Sequence, residues 1–326
     1  MIHHQPKMAS PLFLLCLACV WLLLGGCYGA NDSSPRSEDN AAVPLPAPPS
    51  SDKQLTFGII YPMVNDTYEM ITKDAEAAAA DYPARLLVQA PEEANVEQQM
   101  GIMEMMIKRK VDGIAVAPLD SQALAPVINK AVSQGIPVIC FESDAPSSSR
   151  QAFIGADNVR MGTLSGEAIN ELLGGSGMIL VQSGISDMLS QQEREYGLRK
   201  YLQEHTRIDI LDMRHNEGSE EHATQQLEQM ISDHPHFSAL INLDFISGSS
   251  SVLVWKAKGL KRFNLALGLT PALQQSLSDG QISKIISQNE HQWGQKIVDT
   301  LMRLTQGDFV PEKLNTDVMV IDAEAP

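Results

Sequence analysis

The residues best able to do chemistry in this chain of 326 residues are scattered rather than clustered. A zinc site needs three or four nitrogen, sulfur or carboxylate ligands at short spacing. His215 with His222, and His234 with His236, come nearest to that pattern. No cysteine accompanies them, no H-x-x-x-H spacing occurs, and Pro235 interrupts the second pair, so a metal site is not expected. Nucleophilic chemistry has no better footing. Ser183-Gly184-Ile185-Ser186 follows an apolar run but lacks the glycine pattern of a nucleophile elbow. Cys140 sits inside Ile136-Pro137-Val138-Ile139-Cys140-Phe141, the setting of a small buried hydrophobe rather than a reactive thiol. No G-x-G-x-x-G or G-x-x-x-x-G-K-[ST] follows a strand. Gly174-Gly175-Ser176-Gly177 precedes its strand and reads as a helix stop and turn. Neither an enzyme nor a cofactor site is expected, which leaves binding.

The elements that would carry such a binding site begin after an exported leader. Lys7 precedes an uncharged apolar run over 11–24, and the run ends at Leu24-Gly25-Gly26-Cys27. A short basic lead, an apolar core and small residues at the break make a secretory signal peptide. The last four residues resemble a lipobox, which makes residues 1–26 the discarded leader and Cys27 a lipidated anchor. The alternative is an ordinary signal, or a transmembrane anchor, that happens to end in cysteine. Residues 31–53 hold Pro35, Pro44, Pro46, Pro48 and Pro49 among Ser, Asp and Ala, with almost nothing to bury. Such composition does not offset the entropy of ordering and reads as a spacer over 27–53.

Roughly 270 residues remain, enough for about two domains with their own cores. No second apolar run approaches the roughly 18 residues of a membrane helix. Removing the leader takes away Lys7 and no acid, so the formal charge goes from −16 to −17, which argues against nucleic acid as a partner. Cys16 and Cys19 lie in the leader and Cys27 at its end, so Cys140 stands alone and no disulfide is expected within one chain.

Within this region short β-branched runs alternate with amphipathic stretches. Strands are expected at 55–61, 86–89, 113–116 and 138–141, the last closing a first set, with helices at 67–80, 96–110 and 121–134 between them. A second set has helices at 162–173, 191–204, 220–232 and 248–258. Its strands fall at 178–181, 208–212, 239–241 and 264–267. Strand 282–287, helix 293–305 and strand 318–321 follow. Runs apolar on both faces and separated by helices imply parallel sheets covered on both sides, hence an α/β fold of two doubly wound lobes. The methionines at 100, 103, 105 and 106 fall at helical spacing and read as lobe core.

Several stretches then carry a family likeness. They are Phe57-Gly58-Ile59-Ile60 with Val64-Asn65 after it, Lys110-Val111-Asp112-Gly113-Ile114-Ala115-Val116-Ala117-Pro118, Gly135-Ile136-Pro137-Val138-Ile139, Ser143-Asp144-Ala145-Pro146, and Ile154-Gly155-Ala156-Asp157-Asn158 ahead of Gly162. In order and spacing the chain resembles periplasmic binding proteins of the ribose and galactose-binding type, from about Leu55 to Leu314. The resemblance implies two lobes closing around a ligand, with three crossings near Asp157, Gln288 and Asn315. The N-terminal lobe is then 54–157 plus 289–315, and the C-terminal lobe 158–288 plus 316–326.

Ligand contacts follow from the same resemblance. Tyr68 stands where an aromatic stacks on the sugar, Asp66 where a polar group meets hydroxyls, Arg194 where an arginine forks onto ring oxygens, and Gln288 matches. Glu142 replaces an aspartate, with Ser143 and Asp144 beside it. The family pattern is broken by Glu69 in place of a second aromatic, Gly218 in place of a third, Leu243 in place of an asparagine and Thr270 in place of an aspartate. Asp244 is the preserved acid of its loop. Asp144 reads equally as a turn cap before Pro146, and Arg194 as the partner of Glu193 or Asp187 on a surface helix. The implied function is a lipid-anchored extracytoplasmic, monomeric solute-binding protein delivering a carbohydrate or polyol to an ABC permease. The alternative is a ligand-sensing or structural lipoprotein that signals to a membrane receptor.

Overall fold

A computed structural model describes residues 54–323. The leader, Cys27 and the spacer to residue 53 lie outside the described residues. No described helix is long and apolar enough to cross a membrane.

Two six-stranded sheets organise the molecule. The first alternates β1 (Leu55–Ile60), α1 (Asp66–Ala79), β2 (Ala84–Gln89), α2 (Val96–Lys108), β3 (Gly113–Val116), α3 (Ser121–Ser133), β4 (Val138–Phe141) and β5 (Ala152–Gly155). The second continues with α4 (Asn158–Leu173), β6 (Ser176–Ser183), α5 (Leu189–His205), β7 (Arg207–His215), α6 (Glu220–Asp233) and β8 (Ala239–Asn242). After these come α7 (Ser247–Lys258), β9 (Phe263–Leu267), α8 (Pro271–Ser278), β10 (Lys284–Ser287), α9 (Trp293–Thr305), β11 (Lys313–Asn315) and β12 (Met319–Asp322). The strand orders are β11-β5-β4-β3-β1-β2 and β12-β10-β9-β8-β6-β7. The chain therefore leaves the first sheet after β5, returns after β10 so that α9 packs on α1, and leaves again after β11.

Two doubly wound lobes are present, with particular differences from the sequence reading. Strand 138–141 does not close the first set, because β5 pairs with β4 in parallel and β11 pairs with β5. Both strands are too short, at 4 and 3 residues, to show a period. The second sheet is not wholly parallel either, since β12 runs antiparallel to β10. Helix α8, absent from the reading, starts at a Thr270 cap with Pro271 in its first turn and is only 8 residues long.

Each sheet buries both faces. Phe57, Ile59 and Ile139 face the α1/α9 side of the first sheet, while Ile60, Ile114 and Val138 face α2 and α3 with Met103 and Met106. Ile179, Ile241 and Leu265 pack against α4 and α5 in the second sheet. These alternating apolar faces are why the strands read as continuous apolar runs.

Candidate ligand cleft

The carboxyl ends of both sheets face one another, and the side chains met there come from the first turns of helices and from the residues just past the strands. Asn65 starts α1 by accepting a hydrogen bond at Oδ1 from the Tyr68 amide, at 2.9 Å. That cap fixes the first turn and turns Tyr68 inward, where its ring stacks on Tyr61 with centroids 4.8 Å apart. Its hydroxyl donates to Glu142 Oε2 at 2.7 Å.

Glu142 follows β4 in the left-handed region, at φ +60°. A non-glycine residue holds that conformation only where its surroundings enforce it, and such backbone concentrates at functional sites. The Glu142 amide donates to the Ile154 carbonyl at 3.0 Å, and its side chain is almost fully buried. Burial pushes the Glu142 carboxyl up, while the Arg194 guanidinium and the Tyr68 hydroxyl oppose the shift. Burial, then the neighbouring Glu142 charge, keeps the Tyr68 phenol protonated and so a donor.

Arg194, on α5, is fully buried rather than on a surface helix face. Its Nε donates to Asn158 Oδ1 at 2.9 Å and its Nη1 to the Leu243 carbonyl at 3.1 Å. Its Nη2 has no partner among the described residues. Burial lowers its pKa, and Glu142 and Tyr68 act in the opposite direction. Gly162 and Gly197 let the backbones of α4 and α5 touch behind it. A Cβ on Gly162 would stand 1.9 Å from the Arg194 carbonyl oxygen, and one on Gly197 2.1 Å from that of Val159.

Asp244, just past β8, accepts from the Asn216 side-chain amide at 3.1 Å, from the amides of Ile246 and Ser247, and from the Ser247 hydroxyl. It thereby caps the approach to α7. Gln288, just past β10, is fully buried with both side-chain amide atoms unpartnered among the described residues. Ser143 accepts at Oγ from the Ser190 amide at 3.3 Å, a bond between residues of the two sheets' connections.

Other candidate residues stand elsewhere or are engaged in structure. Asp66 is exposed in the first turn of α1, and Glu69 is exposed beside Lys73 and Glu76 on a surface cavity of about 370 Å³ that shares Met63, Asn65 and Tyr68 with the cleft. Thr270 caps α8 by accepting from the Leu273 amide. Asp144 holds Arg150 through two bonds of 2.7 and 2.8 Å, a buried ion pair beneath the loop rather than a group facing the cleft. Asn65, Gln191, Asn216, Met63 and Phe245 line the cleft and were not among the expected contacts. Asn65 sits one residue before Asp66, so a shift of one position along the α1 cap separates the two readings. Phe245 carries no period that would mark it, because it lies in the turn between β8 and α7.

The space left in the cleft is a cavity of about 20 Å³, bounded by Tyr68, Glu142, Met188, Asp244, Phe245 and Ile246 among others. That is room for about one water. Among the described residues no cluster of His, Cys, Asp or Glu is arranged to hold a metal ion.

Residues 57–308 match the sequence profile of the periplasmic binding protein domain. The chain belongs to that family. The ribose import binding protein of Escherichia coli is 21% identical over 285 residues, covering 86% of this chain and 96% of that protein. An ABC transporter solute-binding protein from Burkholderia graminis, solved in complex with D-arabinose, superposes with a TM-score of 0.79 at 24% identity over 83% of this chain and 96% of its own. A glucose-galactose binding protein from Geobacillus stearothermophilus gives a TM-score of 0.78 at 25% identity over 83% and 98%. These relatives of the periplasmic binding protein family are sugar-binding proteins of transport, not enzymes. Their named ligands belong to them.

Proposed function

We propose that this periplasmic binding protein is a lipid-anchored extracytoplasmic solute-binding protein, capturing a sugar or sugar-like polyol between its lobes for import through an ABC permease. On this reading residues 1–26 are removed and Cys27 carries the lipid. Lobe 54–157 plus 289–315 closes on lobe 158–288 plus 316–326 through the three crossings. The observation that carries the reading is the set of buried polar atoms left unpaired at the carboxyl ends of the strands. They include Asn65 Nδ2 on the cleft wall, Arg194 Nη2, whose guanidinium acts on the Glu142 carboxylate from behind that wall, and both amide atoms of Gln288 just past β10. Each such atom costs about 1–3 kcal/mol unless something hydrogen-bonds it, and a hydroxyl-rich ligand both accepts from the guanidinium and pairs with an amide. Glu142, Arg194 and Gln288 are the contacts we assign to ligand, with Asn65 and Asn216 beside them. Tyr68 supplies a buried ring.

A second reading, a sensor lipoprotein that hands a signal to a membrane receptor, draws on the cleft volume of about 20 Å³, too small for any pentose without rearrangement.

Mass spectrometry of small molecules released on denaturing the protein from its native host tests the first reading, together with a thermal-shift screen of sugars and polyols. The expected result is a released polyol that restores a melting shift in the emptied protein, with the shift lost in Arg194→Ala. An empty protein with no shift across the panel overturns it. Recovery of a receptor rather than a permease in a pull-down would establish the second.

A further inference from the structure

The apolar residues that fill the cleft come from both sides of it. Met63, ahead of α1, presses on Gly218, where a Cβ would stand 2.6 Å from the Met63 sulfur. Ile185, Met188 and Ile246, from the second sheet's loops, join Met63 and Tyr68 in one buried cluster. Phe245 stands across from Tyr68, edge to face with centroids 6.2 Å apart and planes at 88°. Its other side meets Trp293 at 6.4 Å and 66°. The Phe245 ring thus sits between an aromatic of the first helix and the tryptophan that opens α9, beside Glu142 and Asp244, in the space where a ligand would lie. Phe245 is only partly buried, unlike Tyr68 and Trp293, so it is the member of this aromatic row with room to move outward.

We propose that Phe245, backed by Met63, is the specificity residue of the cleft, a plug that a polyol must displace before the lobes close around it. The proposal rests on the solute-binding reading and deepens it. Displacement of a ring costs affinity for every ligand large enough to need its space, and nothing for one that fits beside it. The cleft therefore selects against pentoses and hexoses that lack an apolar face to replace the lost ring contacts with Tyr68 and Trp293. Offset and edge-on aromatic contacts add to area burial, so their replacement is a real term in the exchange.

Calorimetric titration of D-ribose, D-galactose and glycerol into the full mature chain and into Phe245→Ala tests this. The expected result is D-ribose and D-galactose binding at least tenfold more tightly in the variant, with glycerol changed less than threefold. Phe245→Leu, which keeps most of the side-chain volume, should give smaller gains in the same order and decide the matter if the alanine variant does not fold. Equal affinity for D-ribose in folded wild type and folded variants overturns the plug while leaving the solute-binding reading in place. No binding of any of the three probes by any folded variant also overturns the plug, and the solute-binding reading falls with it only where the release experiment yields an empty protein.

Discussion

The hydroxyl of Tyr68 and the Glu142 carboxylate meet at 2.7 Å, both side chains buried, and the residues follow β1 and β4, strands of the first sheet with β3 between them, 74 positions apart in the chain. This bond ties the first turn of α1 to the turn after β4. Among the described residues it is the side-chain hydrogen bond that holds a carboxylate that burial otherwise disfavours.

Tyr68→Phe keeps the ring and its stacking on Tyr61 but removes the hydroxyl. Glu142 then lacks that partner, and the expected loss is about 1–3 kcal/mol of unfolding free energy. Urea denaturation at neutral pH measures it, and an unchanged midpoint with unchanged slope would show that Glu142 is satisfied by other means.

Gly162→Ala should disturb the site from behind. The added methyl meets the Arg194 carbonyl oxygen, so α5 must shift away from α4 or the backbone must deform. Overpacking of this kind costs about 1–3 kcal/mol or more. The expected outcome is a lower melting temperature together with weaker ligand binding, because the moved helix carries Arg194. Binding at full strength in a destabilised protein would uncouple the two.

Arg150→Met separates structure from binding in the 143–150 loop. The substitution leaves Asp144 buried without its counter-charge, and breaking a buried pair from one side costs about 3–5 kcal/mol. Stability should fall steeply while the affinity of the remaining folded protein is unchanged. Loss of affinity in the folded fraction would return Asp144 to the list of ligand contacts.

A pH effect is expected from His215 and Glu195, whose Nε2 and Oε1 lie 2.7 Å apart, with Ser183 donating to the same carboxylate oxygen. The bond from Glu195 raises the His215 pKa above its usual 6.5 against the effect of burial, with Glu217 adding and Arg199 opposing. Burial alone would raise Glu195, yet the bonds from His215 and Ser183 hold it below its usual value. A raised histidine stabilises the fold fully below about pH 6.5 and ceases to do so as pH rises through its folded value. The pair is part-exposed, so its share is under about 1 kcal/mol. Unfolding free energies at pH 6 and pH 9 in wild type and His215→Gln check this: the wild type should lose more stability over that interval, and equal slopes would refute it.

The long strands and helices were legible in the sequence because buried parallel strands leave apolar runs and amphipathic helices leave a period. Helix α9 matches its expected bounds of 293–305. The short β5 and β11 were not, since 3 or 4 residues carry no period and are held by pairing with neighbours brought together only by the fold. At the site, Arg194 and Gln288 were reached through the family likeness, and the structure finds both fully buried with unpaired atoms. Thr270 and Asp144, the latter read equally as a turn cap, are engaged in structure. A cap and an ion pair use the same side-chain chemistry as a ligand contact, and sequence alone does not say which neighbour takes it. Phe245 and Met63 were missed because an apolar residue in a turn looks like any loop residue until the opposite lobe covers it.

The order in which strands enter the sheets bears on how the chain matures. β11 pairs with β5 and α9 packs on α1, so the first lobe stays unfinished until residues near 315 have been made, long after its own β1. Domains usually fold from the N-terminus as they are synthesised. Here the earliest segment waits on almost the last. Until late in synthesis the first lobe therefore lacks both an edge strand and a covering helix.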